Sequence, residues 1–128
     1  MYRSVALCLL LCSSVLGHEM TPTYPEWQVS YSGGIKKTTM RLWNSREDVQ
    51  YYEIGVFDDE WKPIPFVTSY KIMKVDYLSQ VKFDVYIRET NIKDARYICS
   101  LSKLRSDNVS KTLLATRICS KFKAAWEL

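Results

Sequence analysis

Apolar and polar positions alternate along much of this chain. Val81, Phe83, Val85 and Ile87 are interleaved with Lys82, Asp84, Tyr86 and Arg88. Period two is the mark of a β-strand with one dry face and one wet face. A polar turn at Glu89–Asp94 leads into a second half-buried strand, in which Ala95, Tyr97, Cys99 and Leu101 share a face. Upstream, Trp27, Val29 and Tyr31 alternate before the turn signal Ser32-Gly33-Gly34. Ile35–Trp43 reads as a strand with Met40 and Leu42 inward, and Val49–Phe57 as another with Tyr52, Ile54 and Val56 inward. Phe66–Ile72 is expected as a short strand. Pro22 and Pro25 exclude a helix near the start, and Pro63 and Pro65 keep their segment irregular or at a sheet edge. Strand signals broken by turns about every 8–12 residues indicate an antiparallel sandwich or barrel.

The C-terminal stretch fits two patterns. Leu114, Ile118 and Phe122 match period two, and with Trp126 they also match an i, i+4 helical stripe. Ser106 or Asn108 could cap such a helix. Cys119 has to reach Cys99 on a strand if the two pair, which favours a strand. A Tyr two residues before a Cys, just past an acidic turn, resembles the tyrosine corner of immunoglobulin-like sandwiches. The expected fold class is therefore all-β, a seven-stranded immunoglobulin-like antiparallel β-sandwich.

The first residues read as an address. Arg3 precedes the uncharged run Val5–Leu11, which continues to Val15-Leu16, and Val15 and Gly17 suit the positions before a cleavage site. Residues 1–17 are expected to be a secretory signal peptide, with His18 starting a flexible mature end and residues 18–128 forming one domain. The run is too short for a transmembrane anchor, so no stable membrane insertion is expected. Cys8 and Cys12 leave with the signal. Cys99 and Cys119 remain, and in an exported protein an even pair is expected to be oxidised together. Closing a loop of about 20 residues is worth ~3 kcal/mol in the chain-entropy model.

The formal charge of +4 is mild, and no run of five or six like charges occurs. That gives no support to a nucleic-acid partner. Catalysis also lacks its parts. His18 is the single histidine, so no serine or cysteine has an evident base, and Asp58-Asp59-Glu60 reads as a solvated turn rather than an acid–base pair. Neither a metal-ligand pattern nor a phosphate loop is present, so no metal and no cofactor is expected. Asn108-Val109-Ser110 is a glycosylation acceptor on paper.

Met40-Arg41-Leu42-Trp43-Asn44, Tyr52–Phe57, Val81–Arg88, Ala95–Cys99 and Ile118-Cys119-Ser120-Lys121 occur in an order that resembles the N-terminal immunoglobulin-like domain of the PapD-like periplasmic pilus chaperones. The likeness runs over about residues 22 to 124, in a diverged or truncated form. Thr21–Gly34 carries no Arg or Lys for the basic pair of that family, and the apolar alternation is broken by Lys111, Thr112, Thr116 and Arg117. The resemblance implies a periplasmic protein that binds pilus or fimbrial subunits by lending an edge β-strand, without covalent chemistry. The lent strand is then about Lys111–Phe122. Leu114 and Ile118, or Val109 and Leu113 on the other parity, are implied as the inserted side chains, and Lys121 as the holder of the subunit's terminal carboxylate. The competing expectation is a secreted immunoglobulin-like binding or structural module that lends no strand.

Overall fold

The computed structural model describes residues 17–103 and 115–123. Their eight strands form two antiparallel sheets packed face to face. In the first, β3 (Ile35–Asn44) pairs with β6 (Ser79–Arg88) along its full length, from Ile35 opposite Arg88 to Asn44 opposite Ser79. The other side of β3 takes β1 (His18–Thr21) at one end and the two-residue β2 (Gln28–Val29) at the other. The second sheet has the order β5 (Ile72–Lys74), β4 (Tyr51–Phe57), β7 (Tyr97–Lys103), β8 (Arg117–Lys121).

The period-two pattern sets which faces meet. Met40 and Leu42 of β3 and Phe83, Val85 and Ile87 of β6 point into the space between the sheets. Tyr52, Ile54 and Val56 of β4, Met73 of β5 and Ile98 of β7 close over them from the other sheet. Burying a side chain of this size contributes about 1.5–3 kcal/mol, so this shared core holds the sheets together. The C-terminal stretch is extended across Arg117–Lys121. Residues 104–114 and 124–128, and the signal-like residues 1–16, lie outside the described residues.

Four expectations change. His18 does not begin a flexible end: it is the first residue of β1 and is 3% exposed. Trp27, Val29 and Tyr31 do not share a buried face. Val29 and Tyr31 stand in water, while Trp27 stacks on Phe122 with ring centroids 4.5 Å apart. Phe66–Ile72 is not a strand. Val67 makes a single bridge to Tyr86, and the strand begins only at Ile72, with Met73 inward. In β7 the core-facing parity is Ile98, Ser100 and Ser102, whereas Tyr97 and Leu101 are on the outer face and half-buried. Two serines take core positions because hydrogen bonds satisfy them there, which inverts the apparent hydrophobic period.

Candidate functional site

Among the described residues the second sheet ends at β8. Hydrogen bonds from Ser102 N–H to the Thr116 carbonyl (2.9 Å) and from Phe122 N–H to the Arg96 carbonyl (2.8 Å) flank its ladder with β7. Alternation then directs the main-chain groups of Ile118 and Ser120 toward β7, and those of Arg117 and Cys119 toward the outer edge. At the far end the Lys121 N–H donates to the Thr23 carbonyl at 3.0 Å. The edge is thus covered beside Thr23, and β8 has no second partner strand among the described residues.

Cys99 and Cys119 stand directly opposite one another and are joined by a disulfide. The bond fixes the register of β8 on β7. It lies on the outer face, beside Arg117. The Arg117 guanidinium sits 5.8 Å above the Phe57 ring and 5.6 Å from the Trp61 ring, and Trp61 stacks on Tyr97 at 4.3 Å. Tyr97 therefore packs against an indole on the outer face, not on the dry face that its alternation with Ala95, Cys99 and Leu101 implied. Asp58 builds the turn that carries Trp61, accepting the amides of Glu60 (2.8 Å) and Lys62 (2.9 Å). Trp61 itself has φ +63, a left-handed conformation that costs a non-glycine residue energy. Asp59 is more than a solvated turn residue, since it receives the Arg96 Nε–H at 2.9 Å.

Of the residues implied to bind a subunit, Ile118 is half-buried and packs on this domain's own core. Lys121 is exposed at the end of β8. Leu113 and Leu114, with Val109, lie outside the described residues.

A buried polar seam, which sequence reasoning missed, fastens β1 to the β8 side. His18 Nε2 lies 3.3 Å from the Ser100 carbonyl and 3.1 Å from Ser100 Oγ. A carbonyl can only accept, so Nε2 carries the ring proton, and Nδ1 is left to accept from the Thr116 hydroxyl at 3.3 Å. The Thr116 N–H donates to Ser102 Oγ at 2.7 Å. Burial holds the His18 imidazole below its ordinary range; the Ser100 bond opposes this and the Arg46 charge adds to it. The His18 ring lies against Tyr52, centroids 4.6 Å apart, and the Tyr52 hydroxyl donates to Asn44 Oδ1. Burial also pushes the Tyr52 phenol up to about 12. Asn44 Nδ2 donates to the carbonyls of Val49 (2.7 Å) and Val75 (2.9 Å). The one signal in the sequence for β1 was the His18-Glu19-Met20-Thr21 alternation, which a charged neighbour and a following proline obscured.

The sandwich matches the E. coli chaperone DraB with a TM-score of 0.61 at 16% identity, over 84% of this chain and 53% of that one. The two share a fold. A chain in the structure of the Salmonella enterica SafA pilin in complex with the SafB chaperone matches with a TM-score of 0.58 at 15% identity, over 88% of this chain and 57% of that one. The protein spans little more than half the length of either chaperone structure it matches. No family profile matches the chain, and no curated protein does. Among the described residues no helix is long and apolar enough to cross a membrane, and no group of three His, Cys, Asp or Glu side chains converges.

Proposed function

We propose that this PapD-like domain is an exported, periplasmic chaperone-like protein that lends the β8 edge to a pilus or fimbrial subunit. The observation that carries this reading is the position of β8: in a sandwich with the chaperone fold it is, among the described residues, the terminal strand of its sheet, with the Arg117 and Cys119 main chain outward. A subunit missing a strand exposes unpaired backbone groups, and an offered edge satisfies them without covalent chemistry. Side chains of one parity would fill the subunit's groove, Leu114 on one parity or Val109 and Leu113 on the other. Lys121, exposed just past the disulfide, would meet a terminal carboxylate by a charge-assisted bond. The disulfide supports this role by holding the lent strand in register before a partner arrives.

The test is co-expression in a periplasm with candidate subunits, followed by isolation of a one-to-one complex. Leu114→Asp and Lys121→Ala are the informative variants. Ile118→Asp is a poor one, because Ile118 packs on the domain's own core. If the complex survives both substitutions and also Leu113→Asp, the matching change on the other parity, strand lending is wrong. The alternative, a secreted binding module without strand lending, is favoured by one observation: Trp61, 46% exposed, forms an outer-face cluster with Tyr97 and Arg117. On that reading Trp61→Ala abolishes partner binding and Leu114→Asp does not.

A further inference from the structure

At the opposite side of the molecule, the outer face of the first sheet opens into an apolar cleft of about 610 Å³. Its walls are Tyr31, Ile35, Phe66, Val67, Tyr86 and Arg88. That volume lies within the roughly 300–1,000 Å³ range of small-ligand sites. The walls are unusually wet for apolar groups: Tyr31 is 99% exposed and Val67 is 68% exposed. Exposed apolar groups gathered on one concave surface, rather than scattered singly, suit it to being covered by a ligand.

The cleft is ringed by positive charge. Arg88 stands on its lip, Lys37 Nζ lies 5.7 Å from the Tyr31 ring centre, and Lys71 Nζ lies 5.5 Å from that of Phe66. None of the three cations has a carboxylate in ion-pair contact among the described residues. Asp84, further along the same strand face, is already bonded by the Thr39 hydroxyl. Glu89 follows Arg88 and is exposed. The occupant that complements this arrangement has an apolar body and an anionic end.

It is not an added strand. The neighbouring edge of β6 is already used: Val67 N–H donates to the Tyr86 carbonyl (2.9 Å), Tyr86 N–H donates back (2.8 Å), and the Thr68 hydroxyl caps the Asp84 carbonyl (2.8 Å). A peptide laid here would leave much of its own backbone unpaired, which is costly. An alkyl chain has no such groups. We propose that the cleft binds a long-chain fatty-acid carboxylate, its tail along Ile35, Phe66, Val67 and Tyr86 and its head group on Arg88.

The experiment titrates the full chain with decanoate below its micelle concentration, by calorimetry and amide chemical shifts, with decan-1-ol as the uncharged probe. Saturable one-to-one binding is expected, with shifts at Tyr31, Val67 and Tyr86. Val67→Glu places a carboxylate in the cleft at an exposed position and is expected to weaken decanoate at least about tenfold. Tyr31→Ser repeats the test on the other wall. Arg88→Gln is expected to weaken decanoate about tenfold, the loss of one charge-assisted bond, and to leave decan-1-ol unchanged. The proposal is overturned if the wild-type chain shows no saturable binding, if Val67→Glu binds as well as wild type, or if Arg88→Gln weakens both probes alike. It is also overturned if the lipid-free protein dimerises through this face, seen as a concentration-dependent dimer that Val67→Glu abolishes.

Discussion

Replacing Asn44 by alanine removes one side chain that serves four main-chain and side-chain groups. Its Nδ2 supplies the carbonyls of Val49 and Val75, and its Oδ1 accepts from the Tyr52 hydroxyl and the Arg46 amide (2.9 Å). Asn44, Val75 and Tyr52 are fully buried, and Val49 nearly so. A buried polar group left unpaired costs about 1–3 kcal/mol, so three such groups at the low end of that range give ~3 kcal/mol for Asn44→Ala. Domain stabilities are about 5–15 kcal/mol, so the loss is a large part of the total. Urea unfolding followed by tryptophan fluorescence measures it. With m-values of about 1–3 kcal/mol/M, the midpoint is expected to fall by ~1.5 M. Tyr52→Phe breaks a single bond of the same network and is expected to cost ~1 kcal/mol. Asn44→Asp keeps the acceptor but sets a carboxylate against two carbonyls, and should be at least as damaging as alanine. A loss under ~1 kcal/mol for Asn44→Ala would refute the reasoning, because it would mean that water replaces the side chain at no cost.

Three further outcomes are expected. Because burial keeps His18 neutral in the folded chain, the unfolded chain takes up its proton first; the stability this histidine contributes is complete above its ordinary pKa of ~6.5 and is lost as pH falls through the lowered folded value. His18→Gln should therefore flatten the decline in melting temperature below about pH 6.5, and an unchanged slope would count against the buried seam. Reducing the disulfide, which closes a separation of 20 residues, should cost ~3 kcal/mol in urea unfolding with and without reductant. Gly55→Ala would put a Cβ 2.8 Å from the Phe57 ring, forcing it toward Trp61; a loss of about 1–2 kcal/mol and a shifted Trp61 indole resonance are expected.

Strands whose inward residues are plainly apolar were readable from the chain. Met40 and Leu42, Tyr52 to Val56, and Phe83 to Ile87 each pair an alternating pattern with a core that needs them. Reading failed where polar residues enter the core. Ser100 and Ser102 look like surface positions until His18 and Thr116 are placed beside them, and those partners lie far away in sequence. The same reasoning took His18 for a loose end, since its burial depends on contacts with β7 and β8 that no local window contains. Val29 and Tyr31 fail in the opposite sense. They alternate like a buried strand, yet among the described residues only two there pair with β3, and no second layer covers them. The cysteine pairing was legible because the signal-peptide expectation set Cys8 and Cys12 aside and left two thiols with one choice. The edge position of β8 was not visible from local pattern; it came through family resemblance and is seen only once the sheet order is known.

Amide hydrogen exchange on the chain alone and in complex with a fimbrial subunit tests the lent edge most directly. The Ile118 amide, directed into the β7 ladder, should be protected in both states, whereas the Arg117 and Cys119 amides should exchange quickly in the free chain and slow markedly in the complex. A stable complex in which Arg117 and Cys119 exchange as fast as before would contradict the account, because the subunit would then be held elsewhere.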